Sequence, residues 1–244
     1  MKLTDDKYMG LAEMYFWAGM GQRIHGLIHN LNNHIHVVDM QLSMLVAKSD
    51  SSGKDPLGCY KEKISRLASG TSKMVDSLQR NGQCSFFAQK SQTQINVKDY
   101  LGWILAFWNN DLFFKHKVSC ELVFANKDIN LQVPPFYLTF CIDQGIRNAL
   151  EACQEMNPDG EHRMILEADS KDRGVSLAII SFTEMAEIDP WGEGTSSKSG
   201  HLGMGLPVCA FLARRMGWDI DLQNSGDETR FLISIPELKS EDSG

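Results

Sequence analysis

The 244-residue sequence contains no apolar run approaching the ~18 residues of a membrane span. Its opening stretch, MKLTDDKYMGLAEMYFWAGMGQ, lacks the basic, apolar and small-residue succession of a secretory signal. A cytoplasmic protein is expected. Basic excess is missing too: 24 Lys and Arg stand against 31 Asp and Glu, a net charge of -7, whereas a general phosphate-binding surface needs a basic face. Neither nucleic acid nor membrane is therefore expected as a partner. The six cysteines, Cys59, Cys84, Cys120, Cys141, Cys153 and Cys209, form no CxxC pair and no dense framework, which reads as buried reduced thiols rather than disulfides or a zinc site.

What is present suffices for a core. The chain is 43% hydrophobic, consistent with one large or two ordinary domains. Its most strongly patterned stretch is Ile24 to Leu45, where Ile24, Ile28, Leu31, Ile35, Val38, Leu42 and Leu45 recur in alternating steps of four and three. That is the seam of a helix packed in a bundle. The reading extends to one helix over 3–47, weakened by Gly10, Gly19 and Gly21 at about 1 kcal/mol each, so a break or bend is expected near 19–21. The segment KSDSSGKDPLG reverses the chain. Helical spacing then resumes as Tyr60, Ile64, Leu67, Thr71, Met74 and Leu78 and stops near Asn81-Gly82. A lone hairpin covers such seams poorly, so a homodimer closing a four-helix bundle is expected.

Residues 83–95 read as a polar linker, and NVKDYLGWILAFWNNDLFFKHK as an amphipathic helix flanked by strands at 93–97 and 118–124. After Val133-Pro134-Pro135 comes a second helix, FYLTFCIDQGIRNALEACQE, and LPVCAFLARRMGW is a third. Short apolar or alternating runs at 163–168, 175–182, 220–224 and 231–235 are strand-like. The expected class is α+β: a helical hairpin at 1–82 forming a dimeric four-helix bundle, the linker, an α/β sandwich with a mixed sheet at 96–238, and a tail at 239–244. The apolar N-terminal cluster of Tyr8, Met9, Leu11, Met14, Tyr15, Phe16 and Trp17 has two readings, core at the bundle end or a docking face for a separate sensor protein.

His29 directly follows the seam residue Ile28, so its ring flanks the packed stripe and meets solvent. Taken alone it is a surface histidine; His25, His29 and His36 also admit a metal reading, since His25 and His29 are one turn apart.

Together with motifs further along the chain, HNLNNHI at 29–35 resembles the phosphoacceptor motif of two-component sensor histidine kinases. IRNALEA at 146–152 resembles their asparagine motif. DPWGEGTSSKSGHLGMGL at 189–206 resembles their lid and phosphate loop, and RRMGWDIDLQNSGDETRFLISIP their closing helix and hairpin. The resemblance covers about 20–236, and it implies a dimerising hairpin followed by an ATP-binding domain of the Bergerat type. His29 would then be the phosphorylated residue, and the response-regulator receiver domain its partner. ATP would be held by Asn148, Glu151, Lys198, Gly203 and Gly205, with Asn148 as a magnesium ligand. Glycines at 203 and 205 would bring backbone N–H groups close to phosphate at a helix N-terminus. Asn33, one turn past His29, stands where the family often positions a water for dephosphorylation of the receiver.

The sequence departs from the family around ATP. Asn30 replaces the acidic residue that helps to activate the histidine. No Asp-x-Gly-x-Gly follows VSLAIIS; Thr183 and Glu184 stand in the approximate place, and the lid segment is short. His201 and Leu202 replace Gly-Thr in the phosphate loop. Weak or absent ATP binding is expected. Three readings are open on the sequence: phosphoryl transfer through His29 to or from a receiver aspartate, a pseudokinase scaffold that is never phosphorylated, and an ATP-dependent autokinase with an atypical adenine pocket.

Overall fold

A computed structural model describes residues 3–50, 57–125, 128–171, 174–183, 189–194 and 202–237. The expected lid lysine, Lys198, lies outside these residues, as do Glu184 and His201.

Helix α1 runs unbroken from Asp5 to Asp50. The break expected at 19–21 does not form. Helix α2, Leu57–Asn81, returns antiparallel along it, and Gly70 lets it approach so closely that a Cβ there would stand 2.9 Å from Cγ2 of Val38. Within one chain the seams are only partly covered: Ile28 is 52% and Ile35 49% exposed on α1, Ile64 59% on α2.

The stretch expected as linker holds a short helical turn, α3 (Cys84–Phe87), whose Phe87 is buried against Tyr100. The helix expected over 96–117 is divided into α4 (Val97–Trp108) and α5 (Leu112–Lys117). Asp111 causes the division, because its Oδ1 accepts from the Phe114 backbone N–H at 2.9 Å and so caps a new helix. Strand β1 (Thr93–Asn96) pairs antiparallel with β3 (Asn130–Val133), a strand the sequence pattern does not announce.

The main sheet comprises β2 (Val118–Phe124), β4 (His162–Lys171), β5 (Gly174–Ser181), β6 (Asp219–Ser225) and β7 (Glu228–Pro236), in the order β2-β4-β5-β7-β6. The β2–β4 pair is parallel and the rest antiparallel. Helix α6 (Pro135–Met156) lies on β5 and β7, and α7 (Gly205–Met216) on β6. The contact is close: a Cβ on Gly145 of α6 would stand 2.4 Å from Ile179 and 2.7 Å from Phe231. Alternate strand residues Met164, Leu166, Leu177, Ile179, Phe231 and Ile233 are buried, as period-two patterning requires. The expected α+β class is the one observed.

A second stripe on α1, not read from the sequence, joins the hairpin to this layer. Ala12, Phe16, Gly19, Arg23, Gly26 and Asn30 again step by fours and threes. Phe16 packs on Phe136 with ring centroids 5.1 Å apart, and Tyr8 stacks on Phe211 of α7 at 4.7 Å. The N-terminal cluster thus serves largely as core, with Met14 and Trp17 left exposed.

Candidate functional site

His29 is exposed midway along α1. One turn on, the exposed Asn33 brings its amide nitrogen, Nδ2, to 3.4 Å from Nδ1 of the ring. Helical spacing alone accounts for this meeting, since residues four apart share a face.

Asn30 points elsewhere. It is half-buried, its Nδ2 donates to Oδ1 of Asn110 at 3.2 Å, and its Oδ1 accepts from Nζ of Lys115 at 3.0 Å. Asn110 in turn donates to Oδ1 of Asn81 at 2.7 Å and to the Phe107 carbonyl at 3.0 Å. A chain of amides therefore ties α1, the end of α2 and the α4–α5 corner together. Beside it lies an open cleft of about 390 Å³, lined by Asn30, Asn33, His34, Lys73 and Lys115 among others.

Further up α1 the same stripe buries charge. Arg23 bonds Asp143 of α6 at 2.6 Å, the two side chains being 4% and 8% exposed. Its guanidinium lies over Trp108 at 4.2 Å and Phe107 at 5.0 Å from the ring centroids, a cation–π arrangement. Burial lowers the Arg23 pKa, against the pull of the Asp143 carboxylate. Arg147 approaches the other carboxylate oxygen at 3.8 Å.

The expected nucleotide residues sit on α6 and before α7. Asn148 and Glu151 are half-buried on α6. Gly203 has φ +61°, a conformation that favours glycine. Gly205 opens α7, and the space a Cβ would take there meets Oε1 of Gln144 at 2.4 Å. Gln144 Nε2 is buried with no hydrogen-bond partner among the described residues. Thr183, expected near the adenine end, is buried: its hydroxyl meets that of Ser181 at 3.0 Å and its carbonyl accepts from Thr229. His29 and Asn33 thus stand together on the hairpin. Asn148, Glu151, Gly203 and Gly205 belong to the other layer.

Among the described residues, no group of three or more His, Cys, Asp and Glu side chains could hold a metal ion, and no helix is long and apolar enough to cross a membrane. Cys84, Cys120, Cys141, Cys153 and Cys209 are free, the last three of them buried.

Sequence reasoning missed Arg23, Asp143, Gly26, Asn110 and Lys115. The available signal was a pair of glycines seven apart, Gly19 and Gly26, on a face that also carries Ala12 and Phe16.

No family model matches the sequence, and no curated protein matches it. Solved structures do. The catalytic domain of histidine kinase ThkA superposes with a TM-score of 0.52 at 16% identity, covering 60% of this chain and 95% of that domain. The fold is that of the histidine kinase core. Histidine kinase ThkA, solved in complex with response regulator protein TrrA, matches with a TM-score of 0.50 at 12% identity over 97% of this chain and 68% of that one. Full-length ShkA, solved in complex with AMPPNP, matches with a TM-score of 0.52 at 12% identity; 96% of this chain corresponds to 46% of that one. Hairpin and sandwich of the histidine kinase core are thus both represented here, in the same order.

Proposed function

We propose that this chain is a two-component phosphotransfer protein in which His29 carries a phosphoryl group to or from an aspartate of a receiver domain. The observation that carries the reading is the division of labour between neighbours on α1. His29 faces solvent with Asn33 beside it, while Asn30 has both amide atoms engaged by Asn110 and Lys115. An imidazole nitrogen is a competent nucleophile toward an acyl phosphate, and the phosphoramidate formed is a reversible store. The partner is a receiver domain because its phosphoaspartate supplies that donor. Exposed Val37, Met40 and Met44 continue the His29 face of α1 toward its C-terminus and offer an apolar footing for it.

The residues present do not fit ATP and magnesium well. Gly205, whose missing side chain would admit a phosphate, is closed on by Gln144, and Thr183 turns inward to Ser181. Asn148, Glu151, Lys198 and Gly203 are then remnants of a nucleotide site. The partly bare seams of α1 and α2 favour a homodimer through a four-helix bundle. Residues 1–82 then form the dimerising and phosphotransfer part, and 96–238 the sandwich, in a cytoplasmic protein.

The test is incubation with a panel of receiver domains carrying ³²P from labelled acetyl phosphate. Label should reach the wild-type chain and not His29→Ala. Absence of label from every donor would favour a scaffold, and label from ATP alone would establish an autokinase.

A further inference from the structure

We infer that Asn33 is a positioning residue that fixes the tautomer of His29, doing from one turn away what an acidic neighbour would do from position 30. The inference rests on His29 being the phosphoryl carrier. Its physical basis is that the two imidazole nitrogens are distinct, and the one free to act as nucleophile is set by the hydrogen bond that the other makes. The residues one turn from His29 are His25, Asn32, Asn33 and Gly26, the last without a side chain. Asn33 is the one among the described residues that reaches the ring, at 3.4 Å from Nδ1. Asn30 is not available for this, because Asn110 and Lys115 hold both ends of its amide.

A carboxamide presents either its oxygen or its nitrogen after a half-turn about its last torsion, so the same contact serves two arrangements. With the nitrogen toward the ring, as the amide stands in the structure, an N–H of Asn33 donates to a bare Nδ1 and the ring proton sits on Nε2. With the oxygen toward the ring, Nδ1–H donates to Oδ1 of Asn33 and the lone pair of Nε2 is free. The second arrangement is the one that reacts. The Nε2 lone pair forms the bond to phosphorus, and the bond from phosphorus to the aspartyl oxygen breaks with its electron pair left on the carboxylate. The ring keeps its proton on Nδ1 and carries the positive charge that the amide oxygen stabilises. In the reverse direction the N–P pair returns to Nε2. No proton need be removed by a base in either direction, so an amide suffices where a carboxylate is missing. This role is separate from the water-positioning one that the family resemblance implies for the same residue.

The test combines a spectroscopic readout with transfer. Long-range ¹H–¹⁵N correlation spectra of the full chain, recorded at about pH 8.5 where imidazole is neutral, should show His29 mainly as the Nδ1–H tautomer. That preference should be lost in Asn33→Ala. It should be kept in Asn33→Asp, whose carboxylate can only accept. Transfer from the ³²P-loaded receiver should slow by about 2- to 12-fold in Asn33→Ala, the factor that one hydrogen bond is worth, and recover in Asn33→Asp. An Nε2–H ring in the wild type, or unchanged ring signals and transfer rate in Asn33→Ala, would overturn the inference while leaving phosphoryl transfer intact. Failure of the wild type to take label from any receiver would overturn the carrier reading, and this inference with it.

Discussion

Gly26 of α1 and Asn110 at the α4–α5 corner are so close that a Cβ on Gly26 would stand 1.8 Å from the Asn110 carbonyl oxygen. Backbone meets backbone there, and neither side can yield by turning a side chain. Gly26→Ala should therefore destabilise the chain by about 1–3 kcal/mol, as overpacking does, whereas Gly21→Ala, which meets nothing within 4 Å, should stabilise it by about 0.5–1 kcal/mol through helix propensity. Denaturant titrations of the two variants check both signs.

Arg23 and Asp143 form a buried pair, and removing one partner leaves the other charge uncompensated. Arg23→Met and Asp143→Leu should each cost about 3–5 kcal/mol, and the double variant Arg23→Met, Asp143→Leu much less than their sum. A double-mutant cycle by urea unfolding measures the difference.

Restoring an acid beside the phosphoacceptor should not create an autokinase. At position 30 a carboxylate faces Lys115 and Asn110 rather than the ring, so Asn30→Asp gains at most about 1 kcal/mol from a partly exposed ion pair. Incubated with ³²P-ATP it should remain unlabelled, like the wild type; label on His29 would show that the carboxylate reaches the ring.

Ile28 and Ile35 are about half exposed within one chain, so replacing both by Glu should leave the single chain folded. If the seam is where two copies meet, sedimentation should show the variant as monomer and the wild type as dimer.

Burial pushes the Cys120 thiol up to about 12 and that of Cys153 up to about 11, while an unfolded thiol ionises near about 8.5. The unfolded state therefore loses these protons first as pH rises. The stability they contribute is full below about pH 8.5 and is lost as pH climbs toward 11–12. Unfolding midpoints should fall between about pH 8.5 and 10.5, and less so in Cys120→Ala, Cys153→Ala.

The elements with a continuous apolar face were legible in the sequence. The Ile24–Leu45 seam, and strands such as Val118–Phe124 and Val175–Ser181, announce themselves by the period of their apolar residues. The second stripe of α1 did not. Its members were fitted to a surface roughly 80 to 120 residues downstream: Gly19 and Gly26 for clearance, Arg23 for Asp143, Asn30 for Asn110. Clearance and pairing leave no hydrophobic period, and Gly19, read as a weak point of the helix, was a contact point. The α4–α5 break was signalled by Asp111 but overridden by the apolar run around it. Asn130–Val133 is too short to outweigh its polar residues. At the site, His29 and Asn33 were legible as a helical pair, whereas the engagement of Asn30 depends on Lys115 and Asn110, which only the fold brings near.

The stripe from Ala12 to Asn30 also bears on how the chain is made. Tyr8 meets Glu193 across 185 residues of sequence, and Gln22 meets Arg147 across 125. During synthesis at roughly 5–20 residues per second, the hairpin can zip locally as soon as α2 leaves the ribosome. Phe16 must wait until Phe136 has been made, and Tyr8 until Phe211 has followed. This segment thus emerges well before the surface that covers it. For roughly ten seconds or more the nascent helix carries this stripe without the surface that later covers it.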